Sequence, residues 1–97
     1  MVVHIVLFNF KEENKKKHIQ KAREMLEALP EKVPTLKEIE VGVNFSDKDR
    51  AMDLSIITTF DNKVGLEVYA THPEHVKVVE YLKGVVEESR VVDYVRN

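Results

Sequence analysis

The feature that most constrains this chain is its first strand-like segment. Residues 2–10 (Val-Val-His-Ile-Val-Leu-Phe-Asn-Phe) are rich in β-branched and aromatic side chains and too few for a buried helix, so they predict a strand. Alternation places Val2, Val6, Phe8 and Phe10 on one face and Val3, Ile5 and Leu7 on the other. Both faces are apolar, and such a strand needs cover on both sides. An antiparallel sheet with helices on one face covers only half of that demand. A second subunit is the economical cover for the other half. Chain length argues the same way. A chain of 97 residues is one domain's worth, 1–97, and buries only roughly 60–65% of its unfolded surface.

The remaining pattern fills in a fold. Residues 11–14 are a polar connection. Ile19, Ala22, Met25, Leu26 and Leu29 fall at helical spacing over 14–29, and Pro30 ends that helix. Val33 and Pro34 lie in a loop. Ile39, Val41 and Val43 alternate with Glu38, Glu40 and Gly42 as a second strand, and 44–49 is turn chemistry. Residues 52–60 alternate as a third strand, in a hairpin with the second. Asp61 and Asn62 open a short helix carrying Val64, Leu66, Val68 and Tyr69. Thr71-His72-Pro73-Glu74 predicts a fresh helix start, with Thr71 and Glu74 at capping-box spacing and Pro73 in the first turn. Val76, Val79 and Leu82 continue it, with a break expected near Gly84, and 90–96 predicts a final short strand. The order β-α-β-β-α-β is the ferredoxin-like α+β arrangement, a four-stranded antiparallel sheet with helices on one face. In a two-fold dimer the bare faces of two such sheets meet.

Charge and composition exclude several functions. A formal charge of -2 draws the chain neither to nucleic acid nor to an anionic membrane, and Lys15, Lys16 and Lys17 read as a solvated helix start. No apolar run approaches the ~20 residues of a membrane span. Residues 1–7 lack the basic start and small-residue cleavage site of a signal peptide. The absence of cysteine rules out disulfides, thiolate metal sites and a cysteine nucleophile, and fits a reducing cytoplasm. There is no Gly-x-Gly-x-x-Gly, P-loop or Gly-x-Ser-x-Gly, so no cofactor is expected.

Chemistry therefore rests on histidine, tyrosine and aspartate. His18 reads as a surface residue. His4 lies on the Val2-Val6-Phe8 face, either as a satisfied core residue or as part of a site. His72 and His75, three apart at a helix start, share a face. They can bind a metal or exchange protons, or else His72 caps the helix while His75 packs under Tyr69. Two ligands do not make a metal site, and none is expected. Tyr69 beside His75 can form an acid–base pair. Asp93, between Val92 and Tyr94, either orients a histidine or faces water from an edge strand.

These residues carry a resemblance. His4 with the strand ending Phe8-Asn9-Phe10-Lys11, then Val33-Pro34 and residues 39–44, and above all the stretch Tyr69-Ala70-Thr71-His72-Pro73-Glu74-His75 with the closing Val92-Asp93-Tyr94, resemble the stress-responsive A/B barrel (Dabb) family over nearly the whole chain. The resemblance implies a homodimeric α+β barrel with the helices outside and a pocket between sheet and helices. Plant polyketide cyclases of that family use a tyrosine–histidine pair for cofactor-free condensation. The resemblance carries that pair onto Tyr69 and His75, with Asp93 in support and His4 and His72 in the pocket. Two further pocket positions, a histidine and a tyrosine, fall on Leu54 and Leu26. Three readings follow: a binding or structural dimer pinned by a Tyr-His-Asp network; a cofactor-free cyclase, isomerase or lyase acting on a small hydrophobic carbonyl compound with His75 as general base; and, by fold analogy alone, a cofactor-free monooxygenase.

Overall fold

The computed structural model describes residues 1–97. The elements are β1 (Val2–Phe10), α1 (Lys15–Glu27), a 3-10 turn (Leu29–Glu31), β2 (Glu38–Val43), β3 (Leu54–Phe60), α2 (Lys63–Thr71), α3 (Pro73–Val85) and β4 (Val86–Val95). All pairings are antiparallel and the strand order is β2-β3-β1-β4, the ferredoxin-like topology expected.

Local chemistry explains most boundaries. Pro30 closes α1 by passing into the 3-10 turn, where its missing N–H costs nothing. The Asn62 side chain accepts from the Gly65 amide at 2.9 Å and so caps α2. α2 and α3 are separated by one extended residue, His72, at φ -64° and ψ 134°. Pro73 forces that break, because the residue before proline is pushed out of the helical region.

The end of α3 at Val85 meets the break expected near Gly84, and two expectations need correction. The capping box is not formed: the Thr71 hydroxyl turns back to the Glu67 carbonyl, and His72 is the cap of α3, accepting from the Glu74 amide through Nδ1. The last strand starts at Val86 rather than residue 90, because the whole of β1 is available to pair with it.

Residues directly opposite in the ladders share a face. The register therefore places Val2, His4, Val6 and Phe8 with Leu54, Ile56, Thr58 and Phe60 under the helices. There Phe10, Leu26, Leu29, Leu54, Ile56 and Phe60 join Tyr69 and Leu82 in one buried core. Thr58, fully buried, gives its hydroxyl to the His4 carbonyl at 3.2 Å. The opposite face carries Val3, Ile5, Leu7 and Ile57, then Val92 and Tyr94 on β4. No helix of this chain packs on that face; Val3 is 1% exposed and Ile5, Leu7 and Ile57 are half-buried, while Val92 and Tyr94 remain 53% and 45% exposed. No helix is long and apolar enough to cross a membrane.

Truncation tests the assignment of faces. Leu54→Ala, at the centre of the core, lowers unfolding stability by about 2–5 kcal/mol, whereas Val64→Ala on the exposed side of α2 stays within about 0.5 kcal/mol of wild type. Urea unfolding followed by circular dichroism measures both.

Candidate functional site

The break at His72 folds the start of α3 back against the end of α2, bringing Tyr69 and His75 together. The Tyr69 ring is 3% exposed. It lies between Phe60, at 5.1 Å between centroids, and His75, at 4.2 Å with the planes tilted by 41°. His75 Nδ1 is 3.0 Å from the Ala70 carbonyl oxygen. A carbonyl only accepts, so Nδ1 carries the proton and the lone pair of the neutral ring lies on Nε2. Burial lowers the His75 pKa below the ordinary histidine value; the Ala70 hydrogen bond opposes this, and His4 and His72 add to the lowering. His75 is thus a neutral base at pH 7. Tyr69 behaves oppositely: burial pushes its pKa up to about 12, so it stays a protonated donor. Its hydroxyl makes no hydrogen bond within the chain.

His4 and Asp93 face each other across the β1–β4 ladder, and His4 Nδ1 is hydrogen-bonded to Asp93 Oδ1. That contact leaves His4 Nε2 free, on the helix-covered side of the sheet. An open cleft of about 480 Å³ lies beside Asp93, walled by Val2, Leu66, Glu67 and Val95. His72 is committed elsewhere, as its Nδ1 accepts from the Glu74 amide at 3.1 Å.

Of the expected site residues, the structure groups Tyr69, His75, His72 and His4. Asp93 meets both of its readings, since it holds a histidine and lies on an edge strand. It partners His4 rather than His75, because the antiparallel register sets His4 directly opposite while His75 is already held by Ala70. The Asp93 side chain is 49% exposed. Leu26 and Leu54 are core residues between sheet and helices, 2% and 1% exposed, and Leu54 also borders a cleft at the root of the β2–β3 loop. No group of three or more histidine, aspartate or glutamate side chains is placed to hold a metal ion.

Sequence reasoning missed two arrangements. The ring of His18 is not simply exposed: it meets Tyr81 edge-on at 6.4 Å, and its Nδ1 is buried without a partner. No local pattern signals that contact, which depends on how α1 crosses α3. The His4–Asp93 pair was within reach, because aligning β1 against β4 by their apolar alternation sets the two opposite.

The model of the stress responsive A/B barrel domain family matches residues 2–96. A stress-response A/B barrel domain-containing protein of Arabidopsis thaliana is 29% identical over 94 residues, covering 94% of this chain and 82% of that protein. A dimeric protein of unknown function and ferredoxin-like fold from Bacteroides fragilis is 36% identical, with 96% of this chain and 93% of that chain covered and a TM-score of 0.88. A hydroxynitrile lyase from Passiflora edulis superposes with a TM-score of 0.87 over 99% of this chain and 93% of that chain, at 22% identity. At that identity the likeness concerns the fold.

Two predictions follow from this geometry. His75 has a folded pKa below its unfolded value, so the unfolded chain binds the extra proton. Its contribution to stability is present above the ordinary histidine pKa and is lost as pH falls from there through the lowered folded pKa. The His75→Gln variant shows a shallower loss of unfolding stability than wild type between pH 7.5 and pH 5, two ends chosen about 1 unit or more either side of that ordinary pKa. His72→Ala, which removes the cap of α3, costs about 1 kcal/mol in the same measurement and leaves the His75 imidazole resonances near their wild-type positions at neutral pH.

Proposed function

The chain belongs to the stress responsive A/B barrel domain family, and we propose that it acts as a homodimer that binds a small hydrophobic carbonyl compound at Tyr69 and His75 and performs cofactor-free acid–base chemistry on it. The carrying observation is the Tyr69–His75 stack, which sets a neutral imidazole with a free Nε2 beside a protonated phenol with no partner. In this reading His75 Nε2 takes the proton from the carbon next to the carbonyl. The electron pair of that C–H bond forms the enolate C=C bond as the carbonyl π pair moves to oxygen, and the Tyr69 hydroxyl donates to the resulting enolate. The protonated His75 then returns its proton to carbon or to a leaving group, which accommodates isomerase, cyclase or lyase outcomes. Asp93 holds His4, whose free Nε2 is available to orient the substrate. The homodimer reading is supported by the uncovered apolar sheet face and by the dimeric Bacteroides fragilis relative. A chain without cysteine supports the cytoplasm as its setting.

A second reading has its own observation. Leu26 and Leu54 fill the interior, and His4, His72 and His75 each have a partner within the chain. That network would pin α2, α3 and β4 without any turnover, making the protein a binding or structural dimer.

Proton exchange separates the two. With an aryl methyl ketone in heavy water, the wild-type protein accelerates deuterium uptake at the methyl carbon, followed by proton NMR. His75→Ala lowers that acceleration on the order of 10²-fold, and Tyr69→Phe lowers it with the fold retained by circular dichroism. Equal exchange in wild type, His75→Ala and buffer, with lowered thermal stability in the variant, supports the structural reading instead.

A further inference from the structure

A simple face-to-face dimer leaves part of β4 unexplained. Such a dimer covers Val92 and Tyr94 on the open face. It does not cover Val91 and Val95, which point to the helix side and are 63% and 54% exposed because no helix extends over this edge. Apolar side chains on both faces of an edge strand call for cover on both faces.

Strand directions show how the free edge of β4 is paired and which segment of the partner lies beside its start. β1 and β2 run one way, β3 and β4 the other, and the free edges of the sheet are β2 and β4. A two-fold axis parallel to the strands preserves direction. It therefore sets β2 of one subunit antiparallel to β4 of its partner, and both free edges close into an eight-stranded barrel. It also keeps like ends together. The β2–β3 loop, residues 44–53, leaves the sheet at the end where Phe8 stands opposite Leu54 and Ser89. In the closed barrel this loop of one subunit lies beside the start of β4 in the other.

Both parts of a fit are present there. The loop carries Phe45, the one large apolar side chain in the molecule that is fully exposed. The loop root is held by the Asn44 amide on the Asp53 carbonyl at 2.9 Å, and the Asn44 side chain pairs twice with Ser46 on the far side of Phe45. Phe45 is thus presented outward by an ordered turn. The start of β4 borders an open cleft of about 390 Å³ walled by Phe8, Val79, Leu82 and Val86. Its rim carries Lys83, Glu87 and Glu88, and the loop carries Asp47, Lys48, Asp49, Arg50 and Asp53, so both sides present charges of both signs.

We infer that Phe45 of each subunit inserts into the Phe8–Val79–Leu82–Val86 cleft of a second copy of this chain, so that the two β2–β3 loops clasp the dimer. The inference rests on the homodimer proposed above. The clasp closes one end of the helix-covered row of β1 that continues through Val6 to His4, so each subunit's loop seals the far end of its partner's site.

The chain has no cysteine, which makes cross-linking unambiguous. The double variant Phe45→Cys with Ser89→Cys is oxidised at dilute concentration, and its products are read by non-reducing electrophoresis and peptide mapping. A disulfide forms only where the two Cα atoms approach within about 7 Å. The expected result is a linked dimer joined between positions 45 and 89, absent from either single variant. Light scattering on the same protein under reducing conditions reports the dimer itself. A reduced dimer that forms no 45–89 link between chains overturns the clasp while leaving the homodimer standing. A link formed only within one chain also overturns the clasp. A monomer, for the wild-type protein as well, overturns both.

Discussion

The structure depends on one constraint: β1 lies at the centre of the sheet with apolar side chains on both faces. Its helix side is answered within the chain. Val2, Phe8 and Phe10 meet side chains from all three helices, and that core is closed by Leu26, Leu54 and Phe60. Its other side is answered only in part: Val3 is buried, Ile5, Leu7 and Ile57 are half-buried, and Val92 and Tyr94 beside them on β4 are exposed. Burying apolar surface contributes about 25 cal/mol per Å², and a small domain that leaves such a face in water loses stability it can hardly spare. The homodimer proposed above covers the exposed apolar side chains of a sheet with helices on one side only.

The site follows from the same layout. Because the helices cover one face, everything reactive on β1 has to share that layer with the core, and His4 is the polar member of the row Val2, His4, Val6, Phe8. Its hydrogen bond to Asp93 satisfies it there. The break at His72–Pro73 then turns the start of α3 so that His75 lies on the Tyr69 ring. Burial acts on the two rings in opposite senses, keeping the imidazole unprotonated and the phenol protonated. A base and an acid held side by side in their useful forms need no cofactor for proton transfer. Leu26 and Leu54 fill the interior, and the cleft on the α2–β4 side is lined by Asp93 but not by Tyr69, His75 or His4.

Much of this was legible in the sequence, for reasons that differ by element. The strands were readable because period-two alternation is local and strong, and the two-faced character of β1 alone called for a partner. The position of Tyr69, His72 and His75 was readable because Pro73 fixes the helix start. What escaped reading depended on pairing and crossing. The partner of Asp93 is decided by the β1–β4 register, and the extension of β4 back to Val86 by the length of β1 available to it. The role of Thr71 was misjudged because a capping box and a histidine cap begin from the same four residues, and only the extended backbone at His72 decides between them. The contact of His18 with Tyr81 depends on helix crossing, which no periodicity encodes.

The most direct test of the central claim is sedimentation equilibrium of the wild-type protein over a wide dilution series. The account predicts a species of twice the 11.3 kDa chain mass that persists to low concentration, as a buried apolar face requires. A folded 11.3 kDa monomer at every concentration would contradict it, because the open face of β1 would then be stable in water with nothing to cover it.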